Sequence, residues 1–190
     1  IPSLRLDYGI PIQDMVRLQE EGTFELVVNA STVTEAKLEE MRRAGLDLSQ
    51  LAAVHNFYPR PETGLSLAFF QSRNRLLQTY GIRVGAFIPS QNRPRAPIHA
   101  GLPTIEAHRK LPLSHVMVDL LADGLTDFVY FGDPAPSDAE WETALSVADQ
   151  LVPIRVTWTE NLPASVKPIL TMTHTNPPDP ADFVIRSRSS

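Results

Sequence analysis

The chain has 190 residues and a formal net charge of -5, with a pI near 5.5. That length supports one domain with a sizeable core, and the acidic balance lacks the basic footprint of a nucleic-acid partner. No apolar run approaches the roughly 20 residues that span a bilayer, so no membrane partner is expected. The absence of Cys removes disulfides, thiolate metal sites and cysteine nucleophiles, and is compatible with a reducing cytoplasm.

Leu4-Arg-Leu6 reads as a first strand that runs into Asp7-Tyr-Gly9, followed by a helical face of Ile12, Met15, Val16 and Leu18. Phe24–Val28 leads into Asn29-Ala-Ser-Thr32, where Thr32 or Thr34 can cap a helix carrying Ala36, Leu38, Met41 and Ala44. Leu51–Val54 feeds His55-Asn-Phe-Tyr-Pro-Arg-Pro-Glu-Thr-Gly-Leu65, the densest polar stretch of the chain. Pro59 and Pro61 keep that stretch from continuing as a strand, so it reads as a shaped loop. Leu65, Phe69, Leu76 and Leu77 then recur near helical spacing up to Gly81.

Ile82–Ile88 is a fourth strand, followed by a long loop from Pro89 to Gly101 and a helix over about Leu113 to Ala122. Asp127–Phe131 is a fifth, entering Gly132-Asp-Pro134, with Ser137 placed to cap a helix bearing Trp141, Ala144, Leu145 and Ala148.

Five strand-loop-helix units over 1–150, with short strands rich in Val, Phe and Ile, predict an α/β fold built on a parallel sheet. An open doubly wound sheet and a partial (β/α)8 TIM barrel both satisfy the pattern. No GxGxxG or GxxxxGK[ST] phosphate turn occurs, which favours the barrel. Either closure gathers the polar tips of the strands at one crevice.

Beyond Gln150 the pattern changes. Val152–Thr159 alternates like a half-exposed strand and Val166–His174 reads as another extended segment. Residues 151–182 are expected to form an exit and a Pro-rich linker, and 183–190 the start of a further domain. Ile1 opens without a signal-like segment, as if the chain began inside a longer parent. A homo-oligomer is compatible with all of this.

Arg5-Leu-Asp-Tyr-Gly9, His55-Asn-Phe-Tyr-Pro59 with Thr63-Gly-Leu65, Gly101-Leu-Pro-Thr104 with Glu106-Ala-His-Arg109, and Val184-Ile-Arg-Ser187 together resemble the MupG-type 6-phospho-N-acetylmuramidases. The resemblance implies a TIM barrel followed by a cyclophilin-like β domain. These five strands would be barrel strands four to eight, with the other strands and the β domain outside the chain. It also implies a cytoplasmic bacterial enzyme of peptidoglycan recycling that cleaves N-acetylmuramic acid 6-phosphate from a phosphorylated disaccharide. A barrel cut this way is not expected to be active alone.

Glycoside hydrolysis generally uses two carboxyl groups. Asp7, at a strand end, and Glu106 are the catalytic candidates, with Glu62 as a further carboxylate near the mouth. Asn29, His55, Asn56, Tyr58, Ser90, His108 and Asp133 are candidate substrate ligands, and Asp133 also fits an ordinary turn. A 6-phosphate and a lactyl carboxylate call for cations, which Arg60, Arg93, Arg95 and Arg109 could supply from the loops. Five scattered His with no HExxH give no support for a metal site, and no cofactor is expected. Two alternatives stand: a non-catalytic module that captures a phosphosugar or cell-wall fragment, and another phosphosugar barrel enzyme. A Schiff-base aldolase is disfavoured because Lys37, Lys110 and Lys167 do not end strands.

Overall fold

The structure, a computed structural model, describes residues 3–154, 156–159, 161–175, 177–179 and 187–188. It divides into two units, Ile1–Pro153 and Ile154–Ser190. The first contains strands β1 (Ser3–Leu6), β2 (Glu25–Asn29), β3 (Ala52–Val54), β4 (Arg83–Ile88) and β5 (Phe128–Phe131). Between and after them lie helices α1 (Ile12–Glu21), α2 (Glu35–Arg43), α3 (Leu67–Thr79), α4 (Leu113–Leu121) and α5 (Asp138–Ala148).

The strands form one five-stranded sheet in the order β1-β2-β3-β4-β5, and every pair is parallel. An order without reversal has no topological switch point of the kind a doubly wound sheet carries. The register sorts side chains by face. Leu6, Val28, Ala53 and Val84 align on one face, where they share a core with Leu38 and Met41 of α2 and Leu77 of α3. Ala86, Ile88, Val129 and Phe131 continue that face toward Phe70 of α3, Val116, Met117 and Leu120 of α4, and Ala144 and Val147 of α5.

The opposite face carries Val27, Ala52 and Val54 with Phe87 and Phe128. Gly85 belongs to this face, and Phe128 lies across it so closely that a Cβ there would stand 2.1 Å from the ring. Helices on one face of a sequentially ordered parallel sheet are consistent with a partial α/β barrel, the second face being the bore.

Local signals set the helix starts. Thr34 accepts a hydrogen bond from Lys37 N, Ser66 accepts one from Phe69 N, and Ser137 forms a reciprocal capping box with Glu140. The Ser66 cap also sets the phase of α3. Its buried face is Phe70, Asn74 and Leu77, whereas Phe69, expected inside, is 45% exposed and Leu65 precedes the helix.

In the second unit, the extended segment expected over Val166–His174 is instead broken by a short helix α6 (Lys167–Thr171). Pro168 sits in its first turn, where a missing N–H costs nothing. The described residues of 152–159 form no strand, and of the segment expected to open a further domain, residues 183–186 lie outside the described residues. Trp141 of α5 packs edge-on against Phe131 at 4.8 Å in the first unit. Trp158 of the second unit lies under Lys167 Nζ at 5.4 Å. Among the described residues no helix is long and apolar enough to cross a membrane.

Candidate active site

Side chains alternate along a strand, so Arg5, on the bore face of β1, and Asp7, two residues on, share a side and reach the carboxyl-end rim. Asn29 ends β2, and Asn56 follows β3 by two residues. These four side chains interlock. Arg5 donates from Nε to Asp7 Oδ1 at 3.0 Å and from Nη2 to Asn56 Oδ1 at 2.8 Å. Asn29 Nδ2 donates to the same two oxygens, at 3.2 Å and 3.0 Å. Asp7 is 45% exposed and borders a cleft of about 420 Å³ shared with Tyr8, Asn29, Thr32, Thr34 and Lys37.

His55 stands beneath this rim and is fully buried. Its Nδ1 meets Ser31 Oγ at 3.0 Å and its Nε2 meets Asn74 Oδ1 at 2.8 Å. The Asn74 amide nitrogen donates to Leu125 O, which turns its oxygen toward the imidazole and places the ring proton on Nε2. Burial first of all pushes the His55 pKa down to about 4, against a raising contribution from Asn74. His55 therefore stays neutral and supports the rim from below, out of a ligand's reach.

Arg109, expected to face an anionic ligand, is instead buried. It donates to the backbone oxygens of Tyr58 at 3.0 Å, Arg60 at 3.1 Å and Gly101 at 3.0 Å, and pairs with Glu106 through Nε and Nη2 at 2.7 Å and 2.6 Å. The guanidinium thus ties the loop after β3 to the loop after β4. Glu106 also accepts from Gly64 N at 2.8 Å, an approach that a side chain at Gly64 would obstruct because its Cβ would stand 2.7 Å from Glu106 N. The Arg109 hydrogen bond holds the Glu106 carboxyl down at about 2, which suits a fixed anion rather than a proton donor.

Asp133 is likewise buried. Its carboxylate accepts Ser90 N at 2.9 Å, Arg95 N at 2.8 Å and Leu102 N at 3.0 Å, cinching the loop after β4. Glu140 adds Ser90 Oγ at 2.9 Å and Gln91 N at 2.7 Å, so Ser90 is also enclosed. His108 points into the helix layer, 3.4 Å from Asp119. Tyr58 is half-buried, and Arg60, Arg93 and Arg95 are exposed. Arg95 lies 5.9 Å from the centroid of Phe57, whose ring in turn packs edge-on to Phe87.

The structure therefore brings Asp7, Asn29 and Asn56 together at the rim, with His55 below them. It sets Ser90, His108, Arg109 and Asp133 apart as interior side chains that shape the loops. Arg5, Ser31, Asn74 and Glu140 are contributors that motif reading passed over. Arg5 was legible from its two-residue offset to Asp7. Asn74 becomes recognisable only once the Ser66 cap sets the phase of α3, which places it between Phe70 and Leu77.

A one-sided parallel sheet whose carboxyl-end rim gathers a carboxylate, two carboxamides and a guanidinium defines an α/β protein with a polar rim, consistent with a partial barrel. The model of the 6-phospho-N-acetylmuramidase N-terminal family matches residues 1–146, and the chain belongs to that family. A conserved protein of unknown function from Enterococcus faecalis superposes with a TM-score of 0.83 at 37% identity, over 99% of this chain and 52% of that one. An uncharacterized B. cereus protein superposes with a TM-score of 0.68 at 32% identity, over 75% and 42%. The chain thus spans about half the length of these relatives. No curated protein matches it.

Proposed function

We propose that the protein forms the carboxyl-terminal part of a barrel, strands four to eight, in a cytoplasmic glycosidase that releases N-acetylmuramic acid 6-phosphate from a phosphorylated disaccharide. Family membership supports the reaction class, and the observation that carries the assignment to residues is the rim quartet around Asp7. Two donors hold Asp7 Oδ1, and among the described residues Oδ2 has no partner; Asp7 is 45% exposed and lines the cleft. A carboxylate fixed through one oxygen and open through the other can act at an anomeric centre. Glu106 is engaged throughout by Arg109 and Gly64, which leaves exposed Glu62 or a residue outside this chain to supply the second carboxyl group.

Arg60, Arg93 and Arg95 are the exposed guanidinium groups of the adjoining loops and are available to the 6-phosphate and the lactyl carboxylate. Residues 151–182 then serve as exit and linker, and 183–190 lead into the β domain. The test uses the whole parent protein with a chromogenic glycoside of N-acetylmuramic acid 6-phosphate. Turnover is expected, together with a loss of about 1000-fold or more in Asp7→Asn. Full activity of Asp7→Asn would remove that residue from the mechanism, and binding without turnover would make the protein a capture module. Equal activity on the unphosphorylated glycoside would overturn the cationic phosphate site.

A further inference from the structure

The direction of every hydrogen bond in the rim can be traced from a backbone N–H, whose polarity is fixed. Ser31 N donates to Asn29 Oδ1 at 3.0 Å, which turns the Asn29 amide nitrogen toward Asp7 and Asn56. That nitrogen and Arg5 Nη2 are both donors, and both meet the same atom of Asn56. An atom that receives two donors is the carboxamide oxygen. Asn56 Oδ1 is therefore locked inward and Nδ2 is locked outward. The backbone on either side is held as well: Asn56 N donates to Ser31 Oγ at 3.0 Å, and Asn56 O accepts from Thr104 Oγ1 at 2.9 Å.

Asn56 Nδ2 has no partner among the described residues, yet it is not an enclosed orphan, so it opens onto the mouth. It is a pure donor, and its residue is held beside Asp7 because Arg5 and Asn29 bridge the Oδ1 atoms of both side chains. Resting on the reading above, with the anomeric carbon at Asp7, the next group along the ring is the substituent on C2. A hydroxyl there both donates and accepts, and a donor-only neighbour would discriminate little in its favour. The carbonyl oxygen of an acetamido group only accepts.

We propose that Asn56 Nδ2 donates to the acetamido carbonyl oxygen of the substrate, which makes Asn56 the residue selecting an N-acylated sugar. Arg5, Asn29 and Ser31 are positioning residues that set its polarity. Asn56→Asp is the discriminating variant, since aspartate keeps the inward acceptor for Arg5 and Asn29 while replacing the outward donor with an oxygen that repels a carbonyl.

In the whole parent protein, kcat/KM would be compared on two chromogenic 6-phosphoglycosides, one with a 2-acetamido group and one with a 2-hydroxyl. The wild type should prefer the acetamido substrate. Asn56→Asp should lose roughly tenfold to a hundredfold on it and far less on the 2-hydroxyl substrate, whose proton the new carboxylate can accept. An equal loss on both substrates would overturn the proposal and leave Asn56 a structural brace. A readout independent of the variant is competition against the wild type. N-acetylmuramic acid 6-phosphate should compete roughly tenfold better than muramic acid 6-phosphate, and equal competition would overturn the assignment. Turnover of neither substrate by the wild type would instead count against the glycosidase reading itself.

Discussion

His55 shows how a polar residue in a loop motif can belong to the interior. Its imidazole is tilted against Phe70 with ring centroids 4.6 Å apart, and both nitrogens are satisfied as a neutral ring. Its pKa is lowered from 6.5 to about 4 in the fold, so the unfolded chain binds the extra proton first as pH falls. The contribution to stability is complete above about pH 6.5 and is lost progressively down to about pH 4, amounting to on the order of 3 kcal/mol. Equilibrium unfolding in urea at pH 7 and pH 4.5 should show this slope in the wild type and a much flatter one in His55→Gln. Glu106 acts lower: its pKa is depressed to about 2, so its contribution holds above about 4.5 and is lost as pH falls toward 2. The two effects are therefore separable by pH.

At the scale of elements, the loops that follow β3 and β4 are shaped by three buried or half-buried charges, Arg109, Glu106 and Asp133. Arg109→Lys keeps the charge but cannot span three carbonyl oxygens and a carboxylate at once, and should cost about 2 to 4 kcal/mol in urea unfolding. Glu106→Gln strands a buried guanidinium and should cost a similar amount, about 2 to 3 kcal/mol because the carboxylate is partly exposed. In the parent protein both should raise KM more than they lower kcat, since they loosen loops rather than remove a reacting group. Unchanged stability in both variants would mean that the brace is dispensable.

These braces mark where sequence reading ran short. The succession of five strands and their helices, the Thr34 and Ser137 caps and the strand-end positions of Asp7 and Asn29 follow from local patterns of one period or one turn, whereas the strand order does not. The Arg109 anchor could not be read that way, because its partners Tyr58 and Arg60 are distant in sequence and they and Gly101 offer backbone oxygens, which every residue has. Asp133 was masked by its turn-like neighbours Gly132 and Pro134. The phase of α3 is set by the Ser66 cap, which the sequence reading did not use, and the choice of Leu65 and Phe69 turned the apolar face by about one residue. The segment Val166–His174, read as extended, instead carries a short helix with Pro168 in its first turn.

At the scale of the whole molecule, all five helices of the first unit cover one face of the sheet. The bore face is lined by Val27, Val54, Phe87 and Phe128, and no strand among the described residues pairs with the outer edges of β1 and β5. A parallel sheet of this kind is stable when both faces and both edges are covered. Under the proposed function, activity is therefore expected of a longer protein with these edges and faces covered rather than of these 190 residues alone, and assaying both with the chromogenic glycoside tests it.

The two indoles supply an optical consequence. The chain contains two tryptophans, and they fall in different units, Trp141 against Phe131 and Trp158 beneath Lys167. Replacing either one with phenylalanine leaves a single emitter. Trp141 and Trp158 are 49% and 39% exposed, so a change in the intensity of the remaining emission, as the Phe131 or Lys167 contact is lost, reports on one unit at a time without any added label.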